Sequence, residues 1–545
     1  RSLFPLTIEM CHRISRQFGG RMRISFAGGA EYFNCDKLFA AGIWPITVAT
    51  TILKPGGYNR LLQMVEKVEH MTYKPFCGTD TQAICEMSTA SHTDVHHVKP
   101  IKPLPSRKSE KNVPWIDCFS APCKGGCPIA QDIPEYLELV NKGLYGPALK
   151  LITEKNPLPF LTGTICAHRC QNKCSRNFYD ESVRIRDTKL LAAQKGYNAL
   201  MASIKLPERV EGKRVAIIGG GPTGIAAAYF LGREGVPTTI FERERKLGGV
   251  PRYVIPAFRI SDEAIDKDIA LMEHYGVEVK CGAPAPSVED LKKLGYTHIL
   301  IATGAWQAGK LDIPGNVKGV IGWMKEMKTQ VKPCLTGHVV VVGAGNTAMD
   351  ACRTAVRLGA KEVYNIYRRT KDEMPADMVE IEEAEEEGVI FKNLTNPIEV
   401  VKDENGHVKE VILQVMELGE PDASGRRKPI PVEGKTETLA IDTMILAIGQ
   451  AVDASIFDCD KTRKNAIAYD PETFMTSMPG VFAGGDCGND KISIAVEAIA
   501  DARKASDVID AYLAGEEVKY EKPYVVERDD ITEKTFEDRE RLCRQ

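Results

Sequence analysis

The chain has 545 residues, of which 43% are hydrophobic, and a formal net charge of −3 at pH 7. That length predicts about three domains, each with its own core. The near-neutral charge gives no electrostatic case for nucleic acid, no apolar run approaches a membrane span, and no signal peptide is visible, so a reducing, cytoplasmic setting is expected.

At the start of the chain, the run Arg23-Ile24-Ser25-Phe26-Ala27-Gly28-Gly29, a helical pattern from Asn34 to Ala41, the run Pro45-Ile46-Thr47-Val48-Ala49-Thr50-Thr51 and a second helical pattern through Val68 read as two successive βα units. Residues 1–75 thus hold two βα units, too few to close a barrel, which needs eight such units and about 250 residues. The chain begins at Arg1 without a methionine, as a piece of a longer protein would. Residues 76–114 are assigned as linker, on the Pro, Lys and Ser content of Val98 to Pro114.

Six of the 16 cysteines follow in two triplets, Cys118-x4-Cys123-x3-Cys127-Pro128 and Cys166-x3-Cys170-x3-Cys174, inside a segment 115–205 expected to be helical. If helical, the second triplet places its thiols near one face, and a proline after the last cysteine of a run is a feature of iron–sulfur sequences. Zinc is the alternative, although zinc sites usually use CxxC pairs. Six thiolates satisfy one cubane cluster with two to spare, or two clusters with one ligand of another kind each. The other cysteines are scattered singly and are assigned no chemistry.

Arg214-Val215-Ala216-Ile217-Ile218 then reads as a buried parallel strand leading into Gly219-Gly220-Gly221-Pro222-Thr223-Gly224 and a helix. Gly219, Gly221 and Gly224 permit a tight turn, the approach of a pyrophosphate and packing of helix on strand. Glu242, at the end of the next strand, is placed to accept hydrogen bonds from an adenosine ribose. Gly249 opens a loop that runs to Arg259. The apolar strands His298 to Gly304 and Thr443 to Gly449 end in small residues, and Gly480-Val481-Phe482-Ala483-Gly484-Gly485-Asp486 ends in a carboxylate. Thr303, Gly304 and Gly485 are thus expected close to the cofactor of the first turn, whereas Gly249 and Asp486 join an expected FAD site only through the family resemblance these segments carry.

A second turn, Gly343-Ala344-Gly345-Asn346-Thr347-Ala348, follows His338-Val339-Val340-Val341-Val342, and the next strand, Val363 to Tyr367, ends in Arg368-Arg369 in place of an acid. Guanidinium forks suit a 2′-phosphate, which a carboxylate would repel. Gly343, Gly345, Asn346, Thr347, Arg368 and Arg369 are read as an NADPH site, with NADH the alternative. The acidic run Glu380 to Glu387 reads as the solvated face of a helix, and Asn405-Gly406 and Ala423-Ser424-Gly425 mark hairpins. The expected division is FAD-binding segments 206–310 and 445–520, an NADPH domain 311–444 between them, and a tail 521–545 whose Glu537 to Gln545 reads as helical.

These residues make the chain similar to the two-dinucleotide flavoproteins, and from about 115 to 515 it resembles the glutamate synthase small subunit and the N-terminal part of dihydropyrimidine dehydrogenase. The likeness implies an α/β protein with a helical iron–sulfur domain followed by two Rossmann-like FAD/NAD(P)-binding domains. It implies that Asp486 binds the FAD ribityl chain and that the helix from Ile494 to Ala502 points its N-terminus at the flavin ring. It also implies one [4Fe-4S] cluster on Cys118, Cys123 and Cys174 and another on Cys127, Cys166 and Cys170. Trp115 stands where the family has its first cysteine, and Lys189 falls near where a Gln or Glu completes the second cluster. His168 and Asp117 are then the local candidates for the fourth ligands.

The N-terminal units resemble the last two of a dihydroorotate-dehydrogenase-type TIM barrel, a partial remnant in which Gly28, Gly29, Ala49 and Thr50 would line an FMN site only in the full-length barrel. Barrel, cluster domain and flavoprotein in this order match the iron–sulfur and flavin subunits assigned to selenate reduction, and Cys543 falls where related proteins begin a ferredoxin-like run.

NADPH gives two electrons together as hydride and a cluster takes one at a time, so a flavin between them is the required converter. No Ser/His/Asp, paired-carboxylate or redox CxxC arrangement is evident, and no side chain is assigned as catalytic. The expected function is an NADPH-dependent module that passes electrons through FAD to one or two [4Fe-4S] clusters and on to an acceptor domain or subunit. A ferredoxin or bifurcating transhydrogenase component, and a docking module with zinc or empty cysteine sites, are the alternatives. The terminal substrate, the direction of flow and the oligomeric state are not fixed by these residues.

Overall fold

Runs of β-branched residues that are apolar on both faces build two five-stranded parallel sheets, the α/β character the strands predict. The computed structural model describes residues 3–53, 57–72, 75–94, 96–97, 115–116, 121–178, 181–309, 311, 317–330, 333–421, 427–490, 492–516 and 527–528. Cys118, Asp117, the Pro/Lys/Ser-rich stretch from Val98 to Pro114, the turn at Ala423-Ser424-Gly425 and the tail with Cys543 lie outside them. The chain divides into two units, one of Arg1–Ser106, Ile255–Ser261 and Ala308–Gly449, the other of Arg107–Val254, Asp262–Gln307 and Gln450–Gln545.

In the unit that carries the first glycine turn, the sheet order is Val481–Ala483, His298–Ile301, Val215–Ile218, Thr238–Glu242, Glu278–Cys281, with every neighbouring pair parallel. The helix Pro222–Arg233, rich in Ala and Gly, packs between this sheet and the helix Ala495–Leu513. The cysteine segment is a stack of helices, Ile133–Asn141, Tyr145–Thr153, Pro159–Ile165 and Ile185–Ser203, closed over Ile133, Tyr136, Leu149 and Ile152. Asp268 of the helix Asp262–Glu273 ties that stack to the α/β part of the same unit. Its two carboxylate oxygens accept the N–H groups of Phe160 and Leu161 at 3.0 and 2.7 Å, at the start of Pro159–Ile165. Burial pushes the Asp268 carboxyl well above the ordinary carboxylate range, against those two hydrogen bonds.

In the other unit the sheet order is Ile390–Asn393, Glu362–Tyr367, His338–Val342, Thr443–Leu446, Lys318–Gly319, again parallel throughout. An antiparallel meander of Thr395–Lys402, Val408–Pro421 and Arg427–Ala440 follows, with the hairpin expected at Asn405-Gly406 joining its first two strands. The N-terminal βα units are present with strands of only two residues, Phe26–Ala27 and Ile46–Thr47, paired in parallel. Two helices there correct the sequence reading. Leu3–Gln17 precedes the first strand, and Thr81–Ser91 occupies part of the range assigned as linker. The Asp80 carboxylate accepts the Ala83 N–H at 3.0 Å, an N-cap, and Ile84 and Ser88 are buried against Leu3–Gln17. Its Ser, Thr and Ala content blurs the apolar stripe that would have announced it.

The acidic run is the second correction. Within Met378–Glu386 and just past it, Glu380, Glu383 and Glu387 face inward on Arg353 and Arg357 of the helix Asn346–Arg357, while Glu382, Glu385 and Glu386 are half-buried, Glu385 pairing with Lys371. Among the described residues no helix is long and apolar enough to cross a membrane.

Candidate functional site

The first turn is built from backbone that leaves room for a ligand in one place and none elsewhere. Gly219 ends its strand at φ +109°, where a Cβ would lie 2.5 Å from the Ala302 carbonyl oxygen, and a Cβ at Gly224 would overlap the Gly219 carbonyl oxygen. Gly221, the N-cap of Pro222–Arg233, has ordinary extended backbone at φ −80°, and a Cβ there would meet nothing closer than the Gly249 Cα at 3.9 Å. The open volume at Gly221 is thus lined by the N-terminal amides of a buried helix, the place where anionic phosphate is stabilised.

The other expected FAD residues gather around this helix start. The Gly248 N–H donates to the Gly220 carbonyl at 2.7 Å, which lays Gly249 against Gly221. Thr303 and Gly304 follow the strand next to Gly219, and Gly485 lies against the Thr223 hydroxyl. Glu242 is buried at its strand end, Oε2 accepting the Gly220 N–H at 2.7 Å and Oε1 the Glu244 N–H at 2.8 Å. Two amides therefore hold the carboxylate in place, and each oxygen keeps a lone pair for a ribose hydroxyl. Asp486 Oδ1 accepts the Ser493 N–H at 3.0 Å, just before the helix Ala495–Leu513.

The second turn repeats the layout. Gly343 has φ +134° and a Cβ there would overlap the Ala447 carbonyl oxygen, while a Cβ at Gly345, the N-cap of Asn346–Arg357, would meet nothing within 4 Å. Thr347 is partly exposed in the first turn of that helix. Asn346 Oδ1 accepts the Asp377 N–H at 2.8 Å, fixing its side chain on the following loop. Buried Asn365, which sequence reasoning passed over, donates from Nδ2 to the Gly343 carbonyl at 2.8 Å and so braces the turn.

Arg368 and Arg369 are not equivalent. Arg368 is exposed, whereas Arg369 is buried, with Nε donating to the Arg427 carbonyl at 2.7 Å. Only Arg368 offers its whole guanidinium fork to an added phosphate.

The second cysteine triplet does not lie on one helix, contrary to expectation. Cys166 caps Pro159–Ile165 with extended backbone, His168 takes the left-handed conformation at φ +39°, and Cys170 sits in the single turn Arg169–Asn172 before Cys174. Those breaks fold the thiols back onto Cys123 in Pro122–Gly126 and Cys127 at its end. Burial raises the Cys123 thiol, and its largest electrostatic neighbour is Cys174. Burial likewise raises Cys127, with Cys166 beside it, and pushes Cys170 up to about 12, with Cys127 and Cys166 adding to the effect. Burial pushes the Tyr136 hydroxyl well above its ordinary range, and Cys170, Cys127, Cys123 and Cys166 add to that effect. Among these thiols Cys123 thus has Cys174 and Cys127 as electrostatic neighbours, and Cys127 has Cys166 and Cys170. Thiols crowded in a low-dielectric interior deprotonate only with a compensating cation, which is what iron supplies. Among the described residues no three Cys, His, Asp or Glu side chains close on one point that could hold a metal ion. Lys189 is buried in the helix Ile185–Ser203.

The comparisons with known proteins divide the chain in the same order. Residues 213–502 match the pyridine nucleotide-disulphide oxidoreductase family, residues 109–199 match dihydropyrimidine dehydrogenase domain II with its 4Fe-4S cluster, and residues 1–99 match the N-terminal TIM-barrel domain of the oxidoreductase YgfK. YgfK of Escherichia coli K12 is 39% identical over 93% of this chain, which spans 49% of that protein. The beta subunit of the NADP(+)-dependent formate dehydrogenase of Moorella thermoacetica is 36% identical, the match covering 72% of this chain and 60% of the subunit. The small chain of the NADPH glutamate synthase of Escherichia coli K12 is 32% identical over 72% of this chain and 89% of its own length.

Proposed function

That the chain belongs to the pyridine nucleotide-disulphide oxidoreductase family is the premise from which we propose that it carries electrons from NADPH to a reductase domain or partner subunit. The chain is an NADPH-dependent FAD oxidoreductase with a 4Fe-4S domain. It spans about half the length of the YgfK proteins it matches, so the acceptor belongs to the proposal. The observation that carries it is the pair of open glycine N-caps, Gly221 and Gly345, in one chain with the neighbouring cysteine thiols.

FAD, when bound, supplies the exchange between a two-electron hydride donor and one-electron clusters. The residues do the holding. In this reading the amides beyond Gly221 receive the FAD pyrophosphate, Glu242 accepts from its adenosine ribose, and Asp486 anchors its ribityl chain. Gly343, Gly345 and Thr347 receive NADPH, and Arg368 meets its 2′-phosphate. Cys118, Cys123 and Cys174 hold one cluster and Cys127, Cys166 and Cys170 the other.

Anaerobic titration with NADPH, following flavin absorbance and low-temperature EPR together, tests the electron path. Flavin bleaching accompanied by cluster signals is the expected result, and bleaching without them in iron-loaded protein would end the path at flavin. The arginine assignment has its own test. Arg368→Ala is expected to raise the KM for NADPH about tenfold, equivalent to about 1.4 kcal/mol, with the KM for NADH unmoved. Equal changes for both cofactors would remove Arg368 from 2′-phosphate recognition.

A further inference from the structure

We propose that Arg169, Glu497 and Ser493 form a positioning bridge between the cysteine segment and the flavin site, and that the passage of electrons from flavin to cluster depends on this bridge while hydride uptake from NADPH does not. The proposal rests on the FAD and iron–sulfur reading given above and deepens it.

The bridge is continuous in hydrogen bonds. At its flavin end Gly485 lies against Thr223, two residues past the open N-cap Gly221, and Asp486 follows it. Asp486 Oδ1 accepts the Ser493 N–H at 3.0 Å. The Ser493 hydroxyl donates to Glu497 Oε2, and the other oxygen of that carboxylate, Oε1, accepts Nη1 of Arg169. Arg169 immediately precedes Cys170 and opens the turn Arg169–Asn172, so the path leads from Asp486 into the thiol-bearing backbone.

That backbone needs holding, because the left-handed residue His168 interrupts it between Cys166 and Cys170. On one side of the interruption Asp268 fixes the helix Pro159–Ile165 through the Phe160 and Leu161 amides. On the other side Arg169 is fixed by Glu497. The Glu497 carboxylate is a firm post, 17% exposed in the first turn of the 19-residue helix Ala495–Leu513, where the helix dipole favours an acid. Arg169 is 51% exposed, so the pair adds little to stability and acts through placement. It is neither an electron nor a proton carrier. NADPH loses a hydride to become NADP+, two single electrons then pass from the flavin site to the cysteine site, and one proton goes to solvent. Transfer between two bound centres falls steeply with their separation, whereas the hydride step is set at the flavin and nicotinamide alone.

The test mixes the intact, FAD- and iron-loaded chain with NADPH anaerobically and follows flavin absorbance by stopped flow and cluster signals by rapid-freeze EPR. In Arg169→Ala flavin bleaching is expected at the wild-type rate, with cluster reduction slowed about tenfold by the loss of placement. Arg169→Met serves as a second variant should Arg169→Ala lose its clusters. The double variant Arg169→Ala, Glu497→Ala should be no slower than Glu497→Ala, since Arg169 acts through Glu497. Glu497→Gln keeps an acceptor for Arg169 and supplies a donor for the Ser493 oxygen, so it should keep the wild-type cluster rate. Hydrogen exchange over residues 166–174 in the oxidised protein gives a readout apart from turnover, expected to rise in Arg169→Ala and to stay put in Glu497→Gln. An unchanged cluster rate in Arg169→Ala would overturn the bridge, whatever the exchange shows. A cluster rate equally slow in Glu497→Gln would assign the effect to charge and overturn positioning. Wild-type flavin that bleaches without any cluster signal in iron-loaded protein would overturn the underlying reading, a result distinct from either.

Discussion

A Gly221→Val chain is expected to fold and to contain no FAD. The two halves of that expectation come from one local geometry. Gly221 has backbone that valine adopts readily, and a Cβ there finds the Gly249 Cα, its nearest neighbour, at 3.9 Å. Valine is a poorer N-cap than glycine, a cost of about 1 kcal/mol, small against the 5–15 kcal/mol typical of a folded domain. Its branched side chain nevertheless fills the volume that the dinucleotide pyrophosphate needs against the helix N-terminus. Gly219 and Gly224 are the contrast. Substituting either drives a Cβ into a carbonyl oxygen, of Ala302 or of Gly219, inside the parallel sheet and helix packing. Gly219→Val and Gly224→Val should therefore lower the melting temperature steeply as well as losing flavin. The measurements are the FAD-to-protein ratio and a thermal melt on each purified variant. Stoichiometric FAD on Gly221→Val would remove the first turn from the flavin site, and a melt as low as that of Gly224→Val would mean that the position is structural.

Both turns were legible in the sequence because each combines a β-branched strand, a spaced pair of glycines and a helix within a few residues, all local information. The division of the cysteines between two clusters came only from a family likeness, and the local expectation that the second triplet shares one helical face does not hold. Equal spacing of Cys166, Cys170 and Cys174 suggests a helical face, but the left-handed residue His168 interrupts it. Nothing in the string separates Arg368 from Arg369, since the difference between an exposed fork and one tied to the Arg427 carbonyl depends on where the meander returns. The buried state of Lys189 is similarly tertiary, set by the helices stacked around it. The misread acidic run carries a lesson about periodicity. Glu380, Glu383 and Glu387 recur at helical spacing, and Arg353 and Arg357 recur at a spacing of one turn in the preceding helix. Two complementary charged stripes can bury one another as apolar stripes do, and each stripe alone looks like a solvated face.

Arg353→Leu is expected to be the most destabilising single change to the unit that holds the second turn. Arg353 is fully buried, with Nη1 2.7 Å from Glu383 and Nη2 2.8 Å from Glu387, and its guanidinium lies 4.9 Å from the Phe258 ring. Arg357 joins it on Glu387 and covers the same ring at 4.2 Å. Deleting one charge from such a network strands the others and costs about 3–5 kcal/mol. Burial opposes ionisation of Glu387, but Arg353 and Arg357 overcome it and hold its carboxyl at about 2. A depressed folded value contributes stability that is present above the ordinary carboxylate range near 4.5 and lost as pH falls from there toward 2. That contribution is about 3 kcal/mol at neutral pH. Asp350 and Glu380, pushed up by burial, work in the opposite direction in the same network. The clean observable is accordingly a difference. The stability gap between wild type and Glu387→Gln, measured by urea denaturation, should be widest near neutral pH and close as pH falls below 4.5. A gap that stays constant with pH would mean that Glu387 contributes through packing and neutral hydrogen bonds, and the cost of Arg353→Leu would then fall toward that of an ordinary buried side chain.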